Sequence, residues 1–314
     1  MPQPTQSQVH VDALLTNIST AYIQSRTNFI ADVVFPAVNV DKRSNKYATY
    51  TKADWFRDEA EKRESGAESA GGGYNLSSDS YFCDVYAFHK DVGDRERDNA
   101  DAGIDMDRDA TEFVTQRLLL QREIQWASEF FVDAIWGTSI TPGNLWSSYT
   151  TSDPVGDVET GKTTILKNTG LEANTFALGY EVWTKLRHHP DVVDHFKYTS
   201  AASITQDMVA ALLEIGKIVI AKAIKNTGAE GGTAAYDFTH GKHGLLCHVP
   251  PTPGLLTPAA GYTFQWSGTG LAAPVVIKNF RMEHLESDRI EGETAYDFKL
   301  VATDLGYFFH SVVA

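Results

Sequence analysis

The sequence has little cysteine, a minority of basic residues and no long apolar run. Its two cysteines, Cys83 and Cys247, are too few for a disulfide framework, and we expect both to be buried thiols in a chain made in a reducing cytoplasm. The 27 Lys and Arg residues are outnumbered by 41 Asp and Glu, giving a net charge of −14 that disfavours a broad nucleic-acid-binding surface. No run of apolar residues reaches the length of a membrane span, and the first ten residues lack the segments of a secretion signal. The 314 residues, 42% of them apolar, suffice for one large domain or two modest ones.

One stretch matches a phosphate-binding motif. Residues 156–164, GDVETGKTT, fit the G-x-x-x-x-G-K-[ST] pattern of P-loops, so a nucleotide-binding enzyme that uses Gly156, Lys162 and Thr163 is one hypothesis. A P-loop requires a buried strand before it and a helix that starts at its Lys. Residues 146–155 are instead rich in hydroxyl side chains and carry an Asp-Pro pair, which is typical of a turn.

The alternative for this stretch is an ordinary helix. It would begin near Asp157, place Val158, Ile165 and Leu166 on one face, and end at Gly170. Its polar end and the glycine that follows are typical helix-stop signals. We therefore predict a helix here and no nucleotide site.

The densest group of possible metal ligands is His240, His243, Cys247 and His248. Their spacing matches no closed zinc pattern, and the glycines between them favour a loop or strand. We expect ordinary histidines here, with no metal and no cofactor.

Catalytic signatures are also missing. No nucleophile elbow or Cys/His pair occurs, and the acidic runs lie beside basic residues, as in solvated, self-neutralising faces. We therefore predict a chain that is not an enzyme. The runs are Asp58, Glu59, Glu61 with Lys62 and Arg63, and Asp94, Glu96, Asp98 with Arg95 and Arg97.

Two alternating segments enclose a long polar stretch. Residues 47–51 and 80–90 read as strands, and the residues between them are dense in charge and then in glycine. This pattern predicts an extended hairpin. Such a hairpin is marginal alone in water, so it needs a surface to lie on, and the sequence does not show that this chain supplies one.

The strongest helical pattern covers residues 101–136. Apolar residues recur at helical spacing, acidic residues crowd the first turns, and Gly137 follows the run. About 30 residues at 1.5 Å each predict a rod of about 45 Å. A single apolar stripe on such a rod suits a helix with a sheet against it.

Alternating helix and strand signals follow from Leu171, and they predict a compact α/β unit. The final segment, residues 274–314, predicts two strands with a turn near Glu291 and Gly292. These strands are expected to form the sheet under the long helix.

The order of these parts resembles the major capsid proteins of tailed bacteriophages, which share the Hong Kong 97 type fold. The resemblance runs from about Phe35 to the end and rests on the phrases FPAVNVDKRSNKYATY, NTFALGYEVWTKLRHHPDVVDHFKYT, GYTFQW and ATDLGYFFHSVV around the charged hairpin and long helix. It implies an α+β fold with five parts: an N-terminal arm at 1–34, an extended hairpin (E loop) with its base strands at 35–100, a spine helix and connecting segment of the P domain at 101–170, an A domain at 171–272, and P-domain strands with the C-terminus at 273–314.

The resemblance also implies a function. The chain would assemble as hexamers and pentamers into an icosahedral shell around double-stranded DNA, in the virion, after synthesis in the host bacterial cytoplasm. A separate scaffolding protein and a portal are expected partners, a decoration protein is a further one, and no membrane is involved. Lys46, Lys52 and Lys62 are available for the crosslinks of some relatives, but no crosslink is predicted.

A charged hairpin tip is the implied contact between subunits. Its residues are Arg57, Asp58, Glu59, Glu61, Lys62, Arg63 and Glu64. The alternative function is an encapsulin-like nanocompartment, which has the same fold and a protein cargo.

Overall fold

A computed structural model of the chain describes residues 24–50, 52–100, 104–197, 204–254, 257–268 and 275–314. The first part of the predicted N-terminal arm therefore lies outside the described residues. The described residues form eight α-helices: α1 (Ala31–Val34), α2 (Lys52–Trp55), α3 (Asp94–Asp98), α4 (Met106–Phe130), α5 (Pro154–Thr169), α6 (Tyr180–Leu186), α7 (Pro190–Phe196) and α8 (Gln206–Leu212).

The same residues form fourteen strands, most of them short. They are β1 (Ala37–Val40), β2 (Ser44–Tyr50), β3 (Leu76–Phe82), β4 (Asp84–Gly93), β5 (Thr138–Ile140), β6 (Thr175–Gly179), β7 (Lys217–Ala221), β8 (Ile224–Asn226), β9 (Tyr236–Phe238), β10 (Gly244–Cys247), β11 (Gly261–Trp266), β12 (Val276–Met282), β13 (Ser287–Leu300) and β14 (Gly306–Phe309).

The longest strand, β13, is the centre of the first sheet. β4 pairs with it along one edge, from Ser287 opposite Gly93 to Tyr296 opposite Asp84. The other edge of β13 pairs antiparallel with β12 and then with β11, and β1 lies parallel beside β11. The order β1-β11-β13-β12, with β4 on the opposite side of β13, gives a broad surface for a helix.

Helix α4 is that helix, and it is shorter than the sequence predicts. It begins after Asp105, whose carboxylate accepts the backbone N–H groups of Asp107 and Arg108. Its 25 residues make a rod of about 37 Å. It packs on β13 and β4, as the apolar stripe indicated.

The helix ends at Phe130, where a side chain six positions further on bonds to the last turn. The Trp136 indole N–H donates to the Phe130 carbonyl oxygen at 2.8 Å, which satisfies one of the free carbonyls of the last turn. Ala134, at φ 65°, reverses the chain between them. The prediction that the helix runs to residue 136 was wrong.

The last segment also differs from its prediction. β12 and β13 lie in the sheet under α4 as expected, but they turn at the 3-10 helix Glu283–Leu285, and Gly292 sits inside β13. The turn predicted at Glu291 and Gly292 was therefore wrong. β14 joins the second sheet, whose order is β5-β14-β10-β6-β7.

Both sheets share one hydrophobic core. Phe35 contacts the rings of Trp126, Phe130 and Phe298, and Phe131 packs edge-on against Phe308 of β14. The α4 side chains at this centre are fully buried. The body of the molecule is therefore held by its own apolar contacts.

Candidate assembly surface

The hairpin of β2 and β3 forms a two-stranded sheet of its own. It runs in register from Ser44 opposite Phe82 to Tyr50 opposite Leu76. Tyr81 is its one buried residue, and most of the other side chains on both strands are exposed. The extended hairpin predicted from the sequence is therefore present, and most of its surface faces solvent. Its second strand ends at Phe82, however, and residues 84–90 of the predicted strand belong to β4, which pairs with β13.

The base of the hairpin is fixed to the body by aromatic packing. Tyr81 stacks on Phe264 with ring centroids 4.5 Å apart, and Tyr47 lies 5.3 Å from the same ring. The backbone N–H of Phe82 donates to a carboxylate oxygen of Asp297 at 2.9 Å. These contacts fix the hairpin's direction but cover little of its length.

We call residues 52–75 the tip. The tip touches the body through Lys52, which forms an ion pair with Asp304, and through the Phe56 ring, which lies beside Gly170 at the end of α5. Both Lys52 and Phe56 remain substantially exposed. The tip is therefore in contact with the chain's own body without being buried by it.

The seven predicted contact residues are brought together on this tip and are exposed. Arg57 pairs with Glu59 at 3.3 Å and Lys62 with Glu64 at 3.7 Å. The Arg63 side chain donates to the Ala67 carbonyl oxygen at 2.6 Å. Exposed pairs of this kind contribute about 0–1 kcal/mol each. Their contact with another subunit stays a prediction.

An aromatic cluster on the hairpin was missed by the sequence reasoning. Tyr50, Trp55 and Tyr74 lie 5.8–5.9 Å apart, centroid to centroid. Trp55 is 56% exposed and Tyr74 64%. The signal was present in the phrases ADWF and GGGYNL, which place large apolar residues in an otherwise polar stretch.

Two buried charges on α4 were also missed. The Glu123 carboxylate accepts the backbone N–H groups of Ile30 and Ala31 at 2.8 and 3.0 Å, and so caps α1. Burial raises the pKa of Glu123 to about 7, against the opposing effect of these two donors. Arg122 forms an ion pair with Asp32, and its guanidinium carbon lies 4.6 Å from the Tyr296 ring centroid.

The acidic run 94–98 has a more specific role than predicted. Asp94 pairs through both oxygens with Arg281 of β12, at 2.6 and 2.5 Å. Arg97 bonds Asp107 of α4 and Asp288 of β13, both at 2.8 Å. Arg281 and Asp288 are distant in the sequence, so the run ties α3 to the first sheet, in addition to the ion pair that Arg97 forms with Asp94 at 3.7 Å.

The four candidate metal ligands do not form one site. His240 is buried beside Glu123, and burial lowers the pKa of His240 to about 3. The Nδ1 atom of His243 accepts from the Ser311 backbone N–H, and Nδ1 of His248 lies 2.7 Å from the Glu172 carbonyl oxygen. Cys247 is a buried free thiol, as is Cys83. Within the described ranges no group of three or more potential ligands converges.

The P-loop match lies within a helix, as the alternative predicted. α5 begins three residues before the expected start, with Asp153 accepting the backbone N–H of Gly156 at 2.8 Å, and Gly170 ends it at φ 71°. The Lys162 ammonium donates to the Leu213 carbonyl oxygen at 2.7 Å. The Gly156 N–H is therefore bonded to the helix cap and Lys162 to a carbonyl oxygen, so neither group is directed at a phosphate site.

In the part of the chain that the structure describes, no helix has the length and apolarity to cross a membrane.

The chain has the Hong Kong 97 type capsid fold. Over 92% of its length it superimposes on 94% of a phage-related protein from Bordetella bronchiseptica, with a TM-score of 0.70 and 24% identity. The mature capsid of bacteriophage PhiM1 has a similar structure, with a TM-score of 0.58 and 10% identity; the match covers 96% of this chain and 91% of the PhiM1 chain. A Synechococcus elongatus encapsulin is also similar, with a TM-score of 0.58 and 10% identity; the match covers 95% of this chain and 93% of the encapsulin chain.

Two curated relatives are similar in sequence, and both are named major capsid protein. That of Burkholderia phage BcepMu is 24% identical over 314 residues, 96% of each chain. That of Pseudomonas phage JBD67 is 26% identical over 312 residues, 97% of each chain. No family model matches the sequence. The resemblance to tailed-phage major capsid proteins is thereby confirmed.

Proposed function

We propose that the chain is a major capsid protein, the repeated subunit of a phage head. The observation that carries this proposal is the end-to-end similarity to two proteins of that name. Because the match spans nearly the whole of each chain, it includes the hairpin and the spine helix together. The structural neighbours support the same fold.

The exposed hairpin gives the proposal its physical basis. Two strands with solvent on most of their surface are marginal alone, so a neighbouring copy that covers them would stabilise both chains. In a closed symmetric shell each subunit repeats the same contacts, and modest pairwise energies sum to a stable container. The relatives are structural proteins, which supports a non-enzymatic role.

The finer arrangement is part of the proposal. Subunits form hexamers and pentamers of an icosahedral head that encloses double-stranded DNA without reading its sequence. A net charge of −14 suits a container that does not adhere strongly to a polyanion. A separate scaffolding protein and a portal assist assembly, and the mature protein resides in the virion.

An encapsulin-like shell is the second candidate, favoured by the match to the S. elongatus encapsulin. That likeness is one of fold, whereas the sequence relatives are phage proteins. Particle contents separate the candidates, since a phage head encloses DNA and a nanocompartment encloses protein.

Electron microscopy of the expressed chain tests the proposal. We expect negative-stain images to show hexamers, pentamers or closed shells, in the presence of the scaffolding protein where one is needed. A protein that stays monomeric at every concentration, with its hairpin resistant to proteolysis, would contradict it.

A further inference from the structure

Helix α2 begins the tip, and its residues make two separate sets of contacts. Lys52 and Phe56 are four positions apart, so they lie on the same side of this single turn, and both contact the chain's own body. Trp55 instead lies beside Tyr50 and Tyr74, with ring centroids 5.8 and 5.9 Å away. One side of α2 is therefore used within the subunit, while the aromatic cluster lies on another.

The body meets α2 at two points. The Lys52 ammonium forms an ion pair with the Asp304 carboxylate, and among the described residues neither group has a second ion-pair partner. A Cβ placed on Gly170 would lie 3.6 and 3.7 Å from two carbons of the Phe56 ring, which is van der Waals contact. The ring thus rests on the bare backbone that ends α5.

Both points belong to well-anchored parts of the body. α5 packs on β10 and β14 of the second sheet, and it also contacts the 3-10 helix Thr303–Leu305, which carries Asp304. That 3-10 helix is held in turn, because Leu305 is buried and the Gly137 backbone N–H donates to the Thr303 carbonyl oxygen at 2.9 Å. The position of α2 is therefore set by elements that are themselves fixed.

The hairpin is consequently attached at both ends. Its base lies on the first sheet, where Tyr81 stacks on Phe264. α2 contacts the second-sheet side of the body, beyond the seven residues of β2, which span about 20 Å. Asp54 of α2 accepts the backbone N–H and the side-chain N–H of Asn75 at 2.9 and 3.0 Å. This link passes the restraint on α2 to the strand that returns to the base.

The contacts at the tip are weak individually. The Lys52 and Asp304 side chains are 47% and 38% exposed, and exposed ion pairs contribute little to stability. Because the base already holds the hairpin beside the body, however, the second attachment is intramolecular and forms at a high effective concentration. Contacts of this strength restrict the directions that the hairpin samples without adding much to the stability of the whole subunit.

The attached tip still presents its outer groups to solvent. All seven charged residues predicted to contact another subunit are exposed, as are Trp55 and Tyr74. A contact that withdrew the tip from partners would cover these groups, whereas the contacts at Asp304 and Gly170 leave them accessible. Orienting a segment before it binds lowers the conformational entropy that association must remove.

We propose that Lys52, Phe56, Asp304 and Gly170 form a brace that sets the direction of the hairpin within one subunit, so that the tip is already positioned when assembly begins. The consequence for assembly rests on the proposed function, but the brace itself belongs to the single chain. Lys52 and Phe56 are positioning residues, which act through the direction of the hairpin.

Exchanging the two charges tests the brace. Lys52→Glu or Asp304→Lys alone places like charges together, and the double variant restores an opposite pair. Amide hydrogen exchange of β2 and β3, measured by mass spectrometry on unassembled subunits, should be about two- to fivefold faster in each single variant, the effect of losing one exposed pair. The double variant should return towards wild type. If neither single variant changes this exchange, there is no brace.

Assembly followed by light scattering gives the second readout. Each single variant should assemble more slowly than wild type, and the double variant should recover the rate. If Lys52 acted on a neighbouring subunit instead, Lys52→Glu would slow assembly without changing exchange in the free subunit, and Asp304→Lys would not rescue it. Faster assembly of the single variants would show that the contact holds the hairpin back, which would also overturn the brace.

Matched controls change charges of the same size elsewhere. Lys62→Glu alters an exposed position of the tip, and Glu159→Lys alters an exposed position of α5. Both should leave the exchange of β2 and β3 as in wild type. Phe56→Ala removes the apolar half of the brace and should speed this exchange, since its ring rests on Gly170.

The brace and the proposed function can fail separately, because exchange is measured on unassembled subunits. If the wild-type chain forms shells but the charge variants exchange like wild type, the brace is wrong while the capsid function stands. If exchange follows the charge swap but the wild-type chain never assembles, the function fails while the brace stands.

Discussion

The hairpin and the sheet under the spine helix are both largely antiparallel β-structure, yet they are stabilised in different ways. Strand β13 has a paired strand on each edge and packs against α4, and many of its side chains are buried. Strands β2 and β3 pair with each other, and only Tyr81 is buried. One region is held by the chain itself, whereas the other needs a surface from outside.

Because of this difference, side chains in the body and on the hairpin carry different information about what stabilises the protein. In the body, a side chain's position reflects its intrachain neighbours. On the hairpin, large apolar side chains remain in solvent. Burying one such side chain would be favourable by about 1.5–3 kcal/mol. The exposed rings therefore indicate a missing partner more directly than the charges around them.

The same substitution in the two regions should give the largest contrast. Trp126 is fully buried against Phe35 and Phe131, so Trp126→Ala should lower the free energy of unfolding by about 3–5 kcal/mol. Trp55→Ala should change it by less than about 0.5 kcal/mol. Urea unfolding of unassembled subunits measures both. Equal losses would contradict the division into self-supported and partner-supported regions.

The next effect, a change of up to about 4 kcal/mol in the pH dependence of the free energy of unfolding, should follow Glu123→Gln. The folded pKa of about 7 lies above the value near 4.3 of an unfolded Glu, and each unit is worth about 1.36 kcal/mol. The folded chain thus keeps a proton that the unfolded chain releases, so wild type loses stability as pH rises from about 4.3 to 7. Gln cannot titrate, and the variant should escape this loss.

Unfolding curves at several pH values measure that difference. His240 and His243 have folded pKa values of about 3 and about 4, below this window, and in the unfolded chains both titrate alike, so the difference between wild type and variant reports on residue 123. The same substitution at the exposed Glu129 of α4 is the control. A pH-independent difference between wild type and Glu123→Gln would contradict the raised pKa.

Two glycines, one in the sheet under the spine helix and one in the hairpin tip, give a further comparison between the two regions. A Cβ at Gly292 of β13 would lie 2.6 Å from Val114 and 2.8 Å from Leu118 of α4, whereas at Gly73 of the tip it would meet nothing within 4 Å. Gly292→Ala should therefore cost about 1–3 kcal/mol through overpacking. Gly73→Ala should cost almost nothing. Thermal unfolding of the two variants checks this, and a stable Gly292→Ala would show that α4 can move away from the sheet.

Local signals in the sequence were sufficient for several elements. Gly170 ends α5, and Thr205 caps α8 by accepting the Met208 backbone N–H. His189 likewise caps α7 by accepting the Asp191 backbone N–H. These features depend on residues within a few positions of one another, so the sequence shows them directly.

Non-local contacts account for the errors. Gly292 looked like a turn residue, but glycine is needed there because α4 approaches the strand closely. The partner of Asp94 is Arg281, 187 positions away. The aromatic cluster on the hairpin is braced by a link between Asp54 and Asn75 across the tip. The limits predicted for the five parts of the chain stay predictions.

The charges at the tip should have the smallest effect of all. The Lys62 ammonium lies 3.7 Å from the Glu64 carboxylate, and the two side chains are 90% and 80% exposed. Solvent therefore screens their attraction. Lys62→Ala with Arg63→Ala should leave subunit stability unchanged and weaken assembly modestly. Because such contacts are screened by salt, the variant and wild type should converge in assembly measurements at high ionic strength. If removing these two charges abolished assembly, the ionic contacts of the tip would carry the contact between subunits and the exposed aromatic side chains would not.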